Sequence, residues 1–92
     1  MWINNINKRK EERIMPHINI KCYPGRTEDQ KKRCADAVAK AVSEIMGCDI
    51  SHVSLEINEI EKTDWANQVW DKEIAPNMDK LYVKPGYKPE NR

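Results

Sequence analysis

No uninterrupted apolar run in this 92-residue chain exceeds a few residues, whereas a membrane span needs about 20. Charge of one sign is also missing. Sixteen basic residues face fifteen acidic ones, which leaves no field of the kind that nucleic acid selects. Neither a membrane nor a nucleic acid is expected as a partner. There are three cysteines and no CxxC pair. That excludes a full disulfide framework and points to a reduced, cytoplasmic setting. No secretory signal is expected, since residues 1–15 contain no continuous apolar stretch and no small-residue cleavage site. Glu11 and Glu12 argue against a transit peptide. The chain lacks a Ser-His-Asp elbow, a P-loop, a GxGxxG motif and internal repeats. His17 and His52 have no Cys or carboxylate at ligand spacing, so no metal site is expected. Cys22, Cys34 and Cys48 lack cationic clusters and read as small buried hydrophobes. Glu56 and Glu59 read as the solvated face of a strand.

One domain is what such a length allows, with a thin core. Residues 1–15 differ in texture from the rest, being Asn-rich with a basic run at Lys8–Arg13. They are expected to be an extension that is disordered or not part of the mature protein. The ordered domain is expected at residues 16–92. From Pro16, His17, Asn19 and Lys21 alternate with Ile18, Ile20 and Cys22, the period of a half-buried strand. Pro24-Gly25 is turn chemistry. Thr27-Glu28-Asp29-Gln30 has capping-box spacing and opens a helix. Cys34, Val38, Ala41 and Ile45, flanked by Ala37, Val42 and Met46, predict its buried stripe. Asp29/Arg33, Asp36/Lys40 and Lys40/Glu44 predict ion pairs on the other side. Gly47 is placed to end the helix in a left-handed cap. A second strand is predicted at Val53–Ile60. Asp64 is a candidate N-cap for a further helix from Trp65 to about Ile74, with Pro76 opening a continuation to about Tyr82.

Strand, helix, strand is a βαβ unit, so the fold class is α/β, with two parallel strands, a right-handed crossover helix and a C-terminal helix. Two strands leave two open edges and an uncovered face. A second subunit is therefore expected to complete the sheet.

The residue with most chemical meaning is Pro16. If translation starts at Met15 and that methionine is removed, Pro16 carries a free secondary amine. Apolar walls and a nearby cation would let it titrate near neutrality, and its ring fixes the direction of the lone pair. That makes a general base. If the chain starts at Met1, Pro16 is an amide and only a strand-starting proline. Trp65 and Trp70, five apart on a short helix, point to different sides. One of them is a candidate to line a pocket or an interface.

These residues carry a resemblance. Met15-Pro16-His17-Ile18-Asn19-Ile20-Lys21, then Pro24-Gly25-Arg26-Thr27-Glu28-Asp29-Gln30-Lys31-Lys32, then Val53-Ser54-Leu55-Glu56-Ile57 is similar to the 4-oxalocrotonate tautomerase family. It covers residues 16 to about 62 without a gap. Asp64-Trp65, Gln68–Pro76 and Lys84-Pro85-Gly86-Tyr87 resemble the longer PptA-type tautomerases of that family.

The resemblance implies an isomerase that interconverts keto and enol forms of a small 2-oxo acid, without a cofactor or metal. Pro16 would be its catalytic base and Arg26 would bind the substrate carboxylate. Trp65 would supply the apolar surface that lowers the proline's basicity. Ser54 stands where many members have a second arginine, which points to a substrate simpler than the family's dienol diacid. The resemblance also implies a homo-oligomer, a dimer rather than a hexamer. The alternative is a catalytically silent oligomer in which residues 1–15 block the proline and the fold serves as a binding or scaffold module.

Overall fold

Strand β1 spans His17–Cys22, helix α1 Glu28–Met46 and strand β2 Ser54–Glu59. A computed structural model of the chain describes residues 13–92. The expected extension at 1–15, with its Lys8–Arg13 run, lies almost wholly outside the described residues. A one-turn 3₁₀ helix, Ile50–His52, precedes β2, and another, Lys62–Asp64, follows it. Then come a π-helical segment, Ala66–Ile74, and a 3₁₀ helix, Ala75–Lys80. The βαβ order and the C-terminal helix are those expected. Among the described residues no helix is long and apolar enough to cross a membrane.

The described residues divide into two compact units. The first holds residues up to Ile20 and Gly25–Asn58. Its strands are parallel neighbours, joined at their start by the Ser54 N–H donating to the Pro16 carbonyl (3.1 Å). Ile18, Ile20, Leu55 and Ile57 turn to the half-buried side, while His17, Asn19, Ser54 and Glu56 are exposed. Asn58 donates to Asn19 across the strands (2.8 Å).

Helix α1 begins and ends by local chemistry. The Gln30 N–H donates to the Thr27 hydroxyl (3.0 Å), and the Thr27 N–H donates to Gln30 Oε1 (2.9 Å), a complete capping box. Gly47 takes φ 79° and ψ 50° and returns its N–H to the Ser43 carbonyl. The stripe between these caps differs from expectation. Ala35, Val38, Ala39 and Val42 are half-buried, whereas Cys34, Ala37 and Ala41 are exposed and Ile45 is 84% exposed. No residue of the helix is fully buried. The helix has an apolar stripe on each side of Val38, and the single chain covers only one of them. Cys34 is accordingly exposed, Cys22 half-buried and Cys48 buried. The Asp29–Arg33 pair forms (2.9 Å), but Asp36 pairs with Lys32 (2.8 Å) rather than Lys40. A helical side chain leans toward the N-terminus, which brings Asp36 back over Lys32.

The second unit comprises Lys21–Pro24 and Glu59–Arg92. The Ile60 N–H donates to the Cys22 carbonyl (2.8 Å), and Lys21 pairs with Glu73. Val69 and Trp70 are its buried residues, with Trp70 tilted against Tyr87 at 5.4 Å between centroids. The helix starting at Trp65 is wound more loosely than expected: the Ala75 N–H reaches the Trp70 carbonyl, five residues back. No side chain caps its start, so Asp64 is not the N-cap but the last residue of the preceding 3₁₀ turn. Pro76 lies in the first turn of the final 3₁₀ helix, where a missing N–H costs nothing. Asn77 Nδ2 donates to the Glu73 carbonyl (3.0 Å), satisfying one acceptor freed at the change of winding. The tail is tied back by Arg92. Its guanidinium donates to both Asp71 oxygens (2.8 and 2.9 Å) and to Asn67 (3.0 Å).

Two outcomes follow. Thr27→Ala and Gly47→Ala should each lower unfolding stability by about 1 kcal/mol, read by chemical denaturation at fixed protein concentration. At Gly47 a Cβ meets nothing within 4 Å, so the loss there comes from the positive φ alone. Hydrogen bonds from Arg92 hold the Asp71 carboxyl below the usual carboxylate range. A depressed folded value means the contact stabilises above the ordinary Asp pKa and is lost as pH falls through the folded value. In an NMR titration, Arg92→Ala should return Asp71 to the ordinary range.

Candidate active site

Pro16 stands at the entrance of β1, half-buried, with its carbonyl bound by the Ser54 N–H. The bond fixes where the proline sits, because it ties the residue just before β1 to the first residue of β2. Met15, just before it, is 59% exposed and takes φ 51°. A left-handed φ is uncommon for a non-glycine residue, and a following proline narrows its choices further. The Met15-Pro16 junction is therefore a strained one.

Ser54 is held to Pro16 through the backbone and to His17 through its side chain. Its Oγ lies 2.7 Å from His17 Nδ1, and Glu56 Oε2 lies 3.7 Å from the opposite ring nitrogen, Nε2. The three side chains form a row on the exposed face of the two strands. The alternation of β2 puts Ser54 and Glu56 on one side, and the parallel register puts His17 opposite them. Sequence reasoning took Glu56 for solvated surface and gave His17 no role. A signal was present, since His17 adjoins Pro16 and Ser54 and Glu56 share a face, but the pairing needs the register between strands 37 residues apart.

Arg26 follows Gly25, whose φ of 124° turns the chain from β1 toward α1. The arginine is exposed and forms no hydrogen bond or ion pair with the described residues. Its five donors are open for a planar anion such as a carboxylate. The structure thus brings Pro16 and Ser54 into contact, while no hydrogen bond joins Arg26 to either.

Trp65 belongs to the second unit. It is half-buried, stands edge-on to Tyr23 (5.3 Å, 89°) and donates its indole N–H to the Tyr87 hydroxyl (2.9 Å). These rings line an open cleft of about 550 Å³ with Lys62, Ala66 and the tail residues Pro89, Glu90 and Asn91. Of Trp65 and Trp70, the latter fills the core and the former faces the cleft. Tyr23 and Tyr87 were not singled out in sequence, and their part depends on folding the tail back. His52 is half-buried. Its Nδ1 is buried without a partner among the described residues. No three His, Cys, Asp or Glu side chains among the described residues gather closely enough to share a metal ion.

The chain's likeness to known proteins covers this region. A family model described as "Tautomerase enzyme" matches residues 16–71, so its match begins at Pro16. Tautomerase PptA of Enterobacter sp. (strain 638) is 40% identical over 74 residues, covering 79% of this chain and 97% of the relative. Tautomerase PptA of Klebsiella pneumoniae (strain 342) is 39% identical and that of Cronobacter sakazakii 38%, over the same shares of each chain. With a strand-initiating proline, a βαβ frame and these relatives, the chain belongs to the 4-oxalocrotonate tautomerase family, as a PptA-type, tautomerase-class isomerase.

Proposed function

We propose that the working form of this protein begins at Pro16 and catalyses keto–enol tautomerisation of a small 2-oxo acid, with the Pro16 amine as general base. The observation that carries this is the family match starting at Pro16, next to a strained and accessible Met15. Loss of residues 1–15 would release that strain and turn an amide into a basic amine. The amine then takes a proton from the enol hydroxyl or the α-carbon and returns it at the other position. General acid–base catalysis of this kind contributes about 10² to 10⁴ in rate.

Arg26, unpaired among the described residues, holds the substrate carboxylate in a bidentate grip. Its positive charge also disfavours protonation of the amine. Backbone groups or water near Ser54 polarise the substrate carbonyl. With Ser54 in the second site position, a monocarboxylic 2-oxo acid such as phenylpyruvate is the class favoured. The chemistry needs neither a cofactor nor a metal. A homodimer fits the open sheet edges and the uncovered Cys34–Ala37–Ala41–Ile45 stripe, which a second copy would bury. Free thiols suit the cytoplasm.

The test compares enol–keto conversion of phenylpyruvate by protein starting at Pro16 and by the full chain. The Pro16 form should be active and the full chain weaker by about 10²-fold or more. Pro16→Ala should fall by a similar factor, and Arg26→Ala should chiefly raise KM, by about tenfold. Equal activity in the two forms would remove the amine from the mechanism and leave a binding or scaffold module as the better account.

A further inference from the structure

We propose that His17 and Glu56 are positioning residues that lock the Ser54 hydroxyl as a hydrogen-bond acceptor, so that the site selects its substrate in the enol form. The inference rests on the function proposed above and names the side of the reaction the site binds.

A neutral imidazole carries one ring hydrogen, and its neighbours decide which nitrogen holds it. The Glu56 carboxylate faces Nε2 at 3.7 Å. A negative charge there draws the hydrogen to Nε2 and leaves a lone pair on Nδ1. Ser54 Oγ is 2.7 Å from Nδ1, within the range of an O–H···N bond. The serine hydroxyl therefore donates its only hydrogen to His17. What remains on Oγ is lone pairs, which can accept but not give.

An acceptor at this place distinguishes the two tautomers of a 2-oxo acid. The enol has an O–H that donates to Oγ. The keto form presents only lone pairs, which the oxygen of Ser54 repels. Two observations place the row beside the entrance of β1. His17 is joined covalently to Pro16, and the Ser54 N–H is bonded to the Pro16 carbonyl. The row adds little to folding, since the His17 and Glu56 side chains are 57% and 53% exposed. Variants in it should therefore fold.

Three measurements test this. Nitrogen-15 spectra of the imidazoles at about pH 8, above the ordinary histidine pKa of about 6.5, read the tautomer directly and need no activity. His17 should show its hydrogen on Nε2. Glu56→Lys, which places a donor beside Nε2, should move the hydrogen to Nδ1. Second, in protein starting at Pro16, Ser54→Ala and His17→Leu should each raise KM for enol phenylpyruvate by about fivefold. Inhibition by the keto form should strengthen in both, because the repelling oxygen is gone in one and free to donate in the other. Third, His17→Asn, whose amide oxygen can still accept from Ser54, should restore most of the enol affinity. Their double variant should show strong coupling, with His17→Leu adding under about twofold to Ser54→Ala.

The hydrogen found on Nδ1 in the wild type would overturn the proposal. So would equal losses of enol and keto affinity in Ser54→Ala. Absence of tautomerase activity in the wild-type protein starting at Pro16 would overturn the proposed function, and this inference with it. Activity with enol affinity unmoved by Ser54→Ala or His17→Leu would overturn this inference alone.

Discussion

One backbone hydrogen bond, from the Ser54 N–H to the Pro16 carbonyl, sets the register on which the rest depends. A parallel pair has side chains alternating with period two, so shifting it by a residue exchanges its faces. With this register, Ile18, Ile20, Leu55 and Ile57 face the half-buried side. The same bond brings His17, Ser54 and Glu56 into a row on the other face. It also anchors Pro16 at the strand entrance, where a ring nitrogen could stand clear of the sheet. Proline suits that position because its nitrogen has no hydrogen to offer the ladder. Packing and chemistry are thus two consequences of one pairing.

The frame is held by little burial. Cys48, Val69 and Trp70 are the buried apolar residues among those described, and no side chain of α1 is fully enclosed. Local devices carry much of the order instead: a two-way capping box, a left-handed glycine cap, and a tail tied by a bidentate arginine. A helix with apolar stripes on two sides is a poor solution for a lone chain, because one stripe must stay wet. Ile45 and Met46 remain more than half exposed for this reason. Any partner that covered this stripe would add directly to the stability of the fold.

Short-range chemistry was legible in the sequence, and long-range pairing was not. Thr27 and Gly47 mark α1 because a cap is decided by residues three or four apart. The inner stripe was misplaced by a fraction of a turn, since Cys34, Ala41 and Ile45 are as apolar as the residues that do turn inward. Composition cannot say which of two apolar faces a single chain covers. The looser winding of 66–74 has no signature in that segment alone, because i→i+5 bonding is settled by packing of the whole unit. Of the proposed site residues, Pro16, Arg26 and Ser54 could be named from their types and the family resemblance. His17 and Glu56 could not, for they meet only once the two strands are side by side.

The account turns on a free amine at Pro16 whose basicity is lowered by its surroundings. The most direct measurement is a nitrogen-15 titration of proline-labelled protein beginning at Pro16, repeated with Arg26→Ala. The account predicts a Pro16 amine that titrates near neutrality, well below an ordinary proline amine, and that rises when the arginine charge is removed. An amine with an ordinary pKa, unmoved by Arg26→Ala, would contradict it.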